Sequence, residues 1–476
     1  MSVRRLLCIV FGLSITAGGI AFGHPGKVRA KVVTVVTIEF GTDRSVVQRL
    51  AQEDYDIAGV NLQEGTVDVV THSKEEGLSL AFFGFNVKGM KTVDQTVAPD
   101  QNYKTPAEIE AALRQYAASY PAIVRMETIG RSHENREIFA LKITDNPDQR
   151  EVDEPRILFN SMHHAREIMT PEVALDTIEM LVTGYGQNAD ATRWVEGNEI
   201  WIVPMLNVDG NNKVWNGSSL WRKNTFNGYG VDINRNYPFA WNTCNGSSGS
   251  TFSDTYRGPS AGSEPEVQAL MGLVARIQPV FNISYHSYSE LVIYPYGCQG
   301  QRSETREVVE MIGRELAGAI VRDNGRGTYD PGTAWELLYS VDGGDIDWMY
   351  NVHNVIPYVI ELNSSSAGFQ PNFSLRQPTV EKLRPGWTML LNRLEGSGVR
   401  GFVSDGAGRA QPQTTVTVSN LADPKALATT QRVKADGTYH LVLNPGMYRL
   451  SFELGGQVET RDVTIGADRV EMDVQF

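Results

Sequence analysis

Four apolar runs limit what this chain can become. "PRILFNSM", "IWIVPMLN", "VFNISYH" and "VIPYVIEL" are dense in β-branched residues and show little alternation of apolar and polar positions. A strand with one wet face alternates, whereas a strand covered on both faces does not. The runs therefore predict strands of a parallel or mixed sheet, largely buried and flanked by helices, in an α/β unit over about 103–395. Such sheets gather ligands in the crevice outside the carboxyl ends of their strands. "TPAEIEAALRQYAASYP" supplies one flanking helix, with Thr105 as cap and Pro106 at its first position. "TPE" at 170–172 reads as another helix start, with Thr170 capping and Pro171 first.

The flanks differ in character. Residues 1–23 carry Arg4 and Arg5 before a short, Gly-rich apolar run and a small-residue end at "AFG", the pattern of a signal peptide. The expectation is export of a soluble protein to an extracellular or periplasmic space, with no membrane span after its removal. Residues 24–98 predict a small α+β domain: a strand at "KVVTVVTIEF", a helix at "DRSVVQRLAQED", two strands around Glu64-Gly65, then a helix and a strand. Nothing in this segment predicts a chemical site. From 398 to 476 short strand-like pieces separated by "DGAG", "ADG" and "NPG" predict an all-β sandwich.

Without residues 1–23, 41 basic residues face 56 acidic ones, a net charge of −15. That argues against nucleic acid and anionic membranes as partners. Of three cysteines, Cys8 leaves with the leader. Cys244 and Cys298 remain in an oxidising compartment, which favours a disulfide; two unpaired buried thiols are the other reading.

The loop after "PRILFNSM" holds "HHARE". His164 and Glu167 stand three apart as H-x-x-E and precede the predicted helix, and the spacing sets His163 aside. Alone the pair is weak, because catalytic zinc takes three protein ligands and keeps one position open. His286, at the end of another buried strand, is the candidate third; a lone histidine there is more often structural. Arg222, Asn234 and Arg235 arrive at the same rim, and Glu361 ends a strand that delivers it to the crevice. Isolated arginines are usually surface charges, so these gain weight only together.

The set "HHAREIMTPE", "WRKN", "GVDINRN", "YRGPSAGSEPE", "HSYSELVIYPYG", "LLYSVDGGDIDW" and "VIEL", in this order, resembles the zinc carboxypeptidases of the pancreatic A and B type, in a bacterial-style secreted form. The resemblance covers 103–395. It implies one Zn2+ per catalytic domain, held by His164, Glu167 and His286, a ligand set for which carboxypeptidase A is itself a standard example. It implies Glu361 as the general base acting on zinc-bound water and Arg222 as the group that polarises the scissile carbonyl. Asn234 and Arg235 would hold the substrate's terminal carboxylate, Tyr339 would close over it, and Arg166 would line the neighbouring subsite. Ile346 occupies the floor of the side-chain pocket and favours apolar or aromatic terminal residues. Asp345 beside it departs from the small polar residue expected there: pointing into the pocket it would admit basic side chains as well, and otherwise it faces solvent.

By the same resemblance, 24–98 looks like a pro-segment and 398–476 like a transthyretin-like module. The implied protein is a monomeric, secreted zymogen of an exopeptidase acting on peptides with a free C-terminal carboxylate. Two other readings share these residues: a hydrolase of the same fold cutting cell-wall peptides or other amides, and a non-catalytic surface-binding protein.

Overall fold

The computed structural model describes residues 32–423 and 428–476. The predicted signal peptide lies outside the described residues. The first unit is a four-stranded antiparallel sheet, β1 (Val32–Glu39), β2 (Asp56–Asn61), β3 (Thr66–Thr71) and β4 (Asn86–Asp94), in the order β2-β3-β1-β4. Helices α1 (Ser45–Gln52) and α2 (Lys74–Phe82) connect its strands. Val36, Ile38, Val47, Leu50 and Val69 form its core.

The central unit is an eight-stranded mixed sheet. Its strands are β5 (Val124–Arg131), β6 (Glu137–Ile143), β7 (Arg156–Ser161), β8 (Glu199–Val203), β9 (Phe281–Ser287), β10 (Leu291–Tyr294), β11 (Asp330–Thr333) and β12 (Ile356–Leu362), ordered β11-β10-β12-β9-β7-β8-β6-β5. The four apolar runs of the sequence are β12, β9, β7 and β8, adjacent and mutually parallel at the centre. Nearly every residue in these strands is buried. Their uninterrupted apolar character follows, since helices cover the sheet and leave no wet face to demand polar residues.

Those helices are α3 (Pro106–Ser119), α4 (Met169–Gly184), α5 (Ala189–Gly197), α6 (Val208–Trp215), α7 (Pro265–Ile277), α8 (Arg306–Gly318), α9 (Ala334–Leu337), α10 (Asp345–His353) and α11 (Arg376–Glu395). α3 begins with a full capping box: the Glu108 N–H donates to Thr105 Oγ1, and the Thr105 N–H donates to Glu108 Oε2. α4 begins earlier than the sequence predicts. Its N-cap is Ile168, and Thr170 lies inside the first turn, where its hydroxyl donates to the Glu167 carbonyl at 2.9 Å. That bond competes with capping and draws the helix back toward Glu167.

The last unit comprises β13 (Gly398–Ser404), β14 (Thr415–Asn420), β15 (Thr429–Arg432), β16 (Thr438–Val442), β17 (Gly446–Leu454), β18 (Gln457–Ile465), β19 (Arg469–Glu471) and β20 (Val474–Gln475). They form two four-stranded sheets, one built on β13 and one on β14 and β17. Val399, Val416, Leu441, Leu450 and Phe452 fill the core they share. Among the described residues no helix is long and apolar enough to cross a membrane.

Candidate active site

The parallel register of β9 and β12 sets His286 and Glu361 side by side, each next to last in its strand. His164 and Glu167 come from the β7–α4 loop, which is fixed by bonds to its backbone. The Ala165 N–H donates to the Arg222 carbonyl at 2.9 Å, and Asn211 Nδ2 donates to the Ala165 carbonyl at 2.9 Å. Asn207 Nδ2 holds the His163 carbonyl at 3.0 Å.

His164 Nδ1 lies 2.7 Å from Glu167 Oε1, and His286 Nδ1 lies 3.2 Å from both Glu167 Oε2 and His164 Nδ1. All three residues are buried, and their ligand atoms lie within 4.8 Å of one another. Four-coordinate zinc with ligands about 2.0–2.1 Å away sets neighbouring ligand atoms about 3.3 Å apart. The donors are already near that spacing, and two imidazoles with one carboxylate are the chemistry zinc selects, so the residues fit the ion.

Charge in the cleft is tightly paired. Burial opposes ionisation of Glu167, yet the two imidazoles outweigh it and hold the carboxyl well below its usual range. Burial alone would lower His286, but Glu167 pulls it up to about 8. Burial, with the nearby Glu167 charge adding to it, pushes Glu361 up to about 8, against the opposing pull of His286, Arg222 and Arg235. Arg222 is buried and gives Nε and Nη2 to Asp232 Oδ2, at 3.1 and 2.9 Å. Asp232 also sets Oδ1 3.3 Å from His164 Nε2. One carboxylate thus orients both the arginine and a ligand-bearing ring. Asp232 lies inside the motif "GVDINRN", but nothing in its spacing marks it as the brace.

Arg235 gives Nε to the Gly246 carbonyl at 3.0 Å and Nη1 to the Asn234 carbonyl at 2.8 Å, and Nη2 lies 3.3 Å from the Tyr339 hydroxyl. The Gly246 loop is itself held by Asp342, whose Oδ2 accepts the N–H groups of Thr243, Cys244 and Gly246. Cys244 and Cys298 are bonded to each other. Asn234 Nδ2 stands 3.4 Å from His286 Nε2, and its Oδ1 accepts the Asp345 N–H at 2.9 Å. Ile346 lines the cleft, and Asp345 is fully buried rather than facing solvent.

His163 turns away from the ligand cluster. Its Nε2 meets the Tyr237 hydroxyl at 2.9 Å, and its ring stacks on His286 with centroids 5.4 Å apart. Burial lowers it to about 4, so it is neutral at ordinary pH.

The first unit contributes what the sequence conceals. Ile57, Ala58 and Gly59 of β2 line the same cleft. Asp56 accepts two hydrogen bonds from Arg166, and the Val60 N–H donates to Ser289 Oγ at 2.9 Å. A Cβ at Gly59 would fall 2.5 Å from the Tyr288 ring, so only glycine lets the strand lie this close.

A family model described as zinc carboxypeptidase matches residues 109–386. Zinc carboxypeptidase A 1 of Anopheles gambiae is 29% identical over 316 residues, covering 64% of this chain and 70% of that protein. A zinc carboxypeptidase of Saccharothrix mutabilis subsp. capreolus is 33% identical over 293 residues, 56% of this chain and 64% of that protein. Mouse carboxypeptidase D is 26% identical over 402 residues, and the match spans only 27% of its length. Carboxypeptidase A of Helicoverpa armigera shares the fold, with a TM-score of 0.64 at 22% identity over 77% of this chain and 97% of that one. Bovine thrombin-activatable fibrinolysis inhibitor, solved with a tick carboxypeptidase inhibitor, gives 0.55 at 27% identity over 61% and 96%.

Proposed function

The chain belongs to the zinc carboxypeptidase family and is a metallocarboxypeptidase; from that premise we propose that it is a secreted exopeptidase that removes C-terminal residues, with an apolar or aromatic preference, and is held latent by its own N-terminal unit. The observation that carries the reading is the convergence of His164, Glu167 and His286 with Glu361 on the adjacent strand.

His164, Glu167 and His286 would hold one zinc. When bound there, the ion supplies Lewis acidity, lowering the pKa of a water to about 7 and polarising a carbonyl. Glu361, in its ionised form, accepts the proton of the attacking water and passes it to the leaving amine. Arg222, fixed by Asp232, donates to the oxygen on which negative charge develops. Arg235 presents a planar fork suited to both oxygens of a terminal carboxylate. Asn234 is the second donor to that group, and Tyr339 covers it. An internal peptide has no carboxylate to offer here, which makes the activity exopeptidic. Ile346 faces the terminal side chain, and Arg166 lines the next subsite once Asp56 leaves it.

Residues 24–98 act as a pro-segment: β2 forms one wall of the cleft and Asp56 takes Arg166. Residues 398–476 form a transthyretin-like sandwich that stabilises the catalytic domain, 103–395. The leader at 1–23 directs export.

The test is release of terminal residues from matched peptides with free or amidated C-termini, with and without a zinc chelator. Chelator-sensitive release confined to free carboxylates is expected. Cleavage of amidated peptides would overturn the reading.

A further inference from the structure

We propose that Asn224 is a positioning residue for the reaction: its side-chain amide, clamped by the buried carboxylates of Glu264 and Glu266, sets Asp232 in place, and through Asp232 the guanidinium of Arg222. The inference rests on the exopeptidase reading above and adds a residue to that same site.

Arg222 and Asp232 stand ten residues apart in the chain, so the aim of the arginine depends on where the carboxylate is held. The segment between them doubles back, and Asn224 closes it. The Asn224 N–H donates to the Val231 carbonyl at 3.0 Å. Its Oδ1 accepts the Val231 N–H at 2.8 Å and the Phe226 N–H at 3.2 Å. Its carbonyl accepts Trp221 Nε1 at 3.0 Å. Val231 is thus fixed through both its N–H and its carbonyl, and Asp232 follows it directly. The return is close: at Gly230, where φ is +74°, a Cβ would fall 2.4 Å from the Asn224 carbonyl oxygen.

The far end of the amide is held from outside the segment. Asn224 Nδ2 donates to Glu264 Oε2 at 2.7 Å and to Glu266 Oε2 at 3.1 Å. Asn224 and both glutamates are 0% exposed. Glu264 is the N-cap of α7, and Glu266 lies in its first turn. Glu264 Oε1 accepts from Ser263 Oγ at 2.7 Å, and its Oε2 lies 2.8 Å from His133 Nε2. An ionised carboxylate accepts and never donates, whereas an amide has one end of each kind. The glutamates therefore take Nδ2 and leave Oδ1 for the two N–H groups. Turned over, the amide would set oxygen against carboxylate and nitrogen against N–H. A buried network with every member satisfied specifies one arrangement, and here that arrangement ends on the carboxylate that aims Arg222. The last residue of "WRKN" and the two glutamates of "GSEPE", which the mechanism above leaves unused, find a role together.

The experiment measures kcat, KM, zinc content and Tm on the zinc-loaded full chain after limited proteolysis of the exposed 96–98 loop. Asn224→Asp keeps the volume and the acceptor but turns a carboxylate toward Glu264 and Glu266. It should lower kcat by about 10²-fold, the effect of a displaced reacting group. KM and zinc content should hold, because Arg222 acts on the transition state rather than on bound substrate. Glu264→Gln sets an amide donor against Asn224 and should lower kcat in the same direction. Combined, Asn224→Asp and Glu264→Gln restore one donor–acceptor pair and should recover most of the loss. In an Arg222→Ala background Asn224→Asp should lower kcat no further, since its effect passes through that arginine. Additive losses in this cycle overturn the proposal. So does a Tm that falls while kcat holds well below it, which gives Asn224 a role in stability alone. A rise in KM at constant kcat, or loss of zinc, overturns it as well. If Asn224→Asp does not fold, Glu264→Gln in the same cycle decides by the same outcomes. Failure of the wild-type chain to release any terminal residue overturns the exopeptidase reading, and this inference with it.

Discussion

Asp56 and Arg166 meet in a two-pronged ion pair, with Nη1 2.6 Å from Oδ2 and Nη2 2.8 Å from Oδ1, and the Phe369 ring centroid lies 4.0 Å from the guanidinium carbon. Both residues are buried. Burial disfavours the Asp56 charge, but the guanidinium outweighs it and keeps the carboxyl below its usual range. Arg166 lies one residue before Glu167, so the pair fastens the first unit at the edge of the ligand cluster.

Breaking that pair should weaken the latency proposed for the uncut chain. Removing one partner of a buried ion pair costs about 3–5 kcal/mol, because the other charge is left buried and alone. Asp56→Ala should therefore raise the peptidase rate of the uncut chain by about 10²-fold or more. The rate after cutting should stay near that of the wild-type chain. Comparing the uncut-to-cut ratio for the two proteins is the measurement. An unchanged ratio would show that β2 blocks the cleft without help from this pair.

Glu361→Gln should separate metal binding from turnover. Glu361 pairs in register with His286 but does not belong to the triad whose ligand atoms converge. The variant should keep one zinc per chain by elemental analysis and lose about 10²- to 10⁴-fold in kcat, the range for a positioned acid–base group. Loss of the metal, or retention of full kcat, would remove Glu361 from proton transfer.

The strand ends made much of this site readable in advance. A run such as "VIPYVIEL" must be buried on both faces, and its last polar residue then has only the crevice to enter. That logic reaches His286 and Glu361 directly, and it reaches His164 and Glu167 through the loop that follows β7. It fails where long-range packing decides. Asp232 braces Arg222 and His164, but no period in its segment distinguishes it from Asn234. Asp56 sits in a strand whose alternation describes only its own small sheet, so its reach to Arg166, 110 residues away, has no local signal. Thr170 failed as a predicted cap because its hydroxyl bonds backward to the Glu167 carbonyl, a choice between two local partners that propensity does not rank.

Glu154 should make stability fall as pH rises through neutrality. Burial pushes it up to about 8; Thr144 Oγ1 donates to it at 3.0 Å, and Glu151, Asp145 and Glu199 add like charge. In the unfolded chain it titrates near about 4.3. Between those values the folded chain holds a proton that the unfolded chain has released. Its contribution is therefore complete below the unfolded value and is lost as pH rises through the folded one. Glu154→Gln should raise Tm at pH 8.5 by about 2–4 °C and flatten the slope between pH 5 and 8.5. Parallel Tm–pH curves for the two proteins would show that the carboxyl is ionised and solvated in the fold.

Asp436 should matter more to stability than its place in a turn of the last unit implies. Its Oδ2 accepts from Arg150 at 2.6 Å and from Arg156 at 3.2 Å, and both arginines belong to the central unit. Arg156 is 1% exposed and also bonds Glu199 and the Ile277 carbonyl. Burial opposes the Asp436 charge, yet the Thr438 hydroxyl and Arg156 bring its carboxyl down to about 2. Asp436→Ala would leave two guanidinium groups of the central unit side by side at the boundary without their shared acceptor. A hydrogen bond to a charged group contributes about 1.5–3 kcal/mol, so the variant should melt several degrees lower and be cut faster by protease at 395–398. Asp462→Ala is the contrasting variant: its pair with Arg449 is equally short, but both side chains are half-exposed, and exposed pairs contribute little. It should melt with the wild-type chain. Equal melting of both variants would mean that the Asp436 pairs add nothing to the joint, which then rests on its other contacts, such as Arg393 to the Leu443 carbonyl and the Ala435 N–H to Gln278 Oε1.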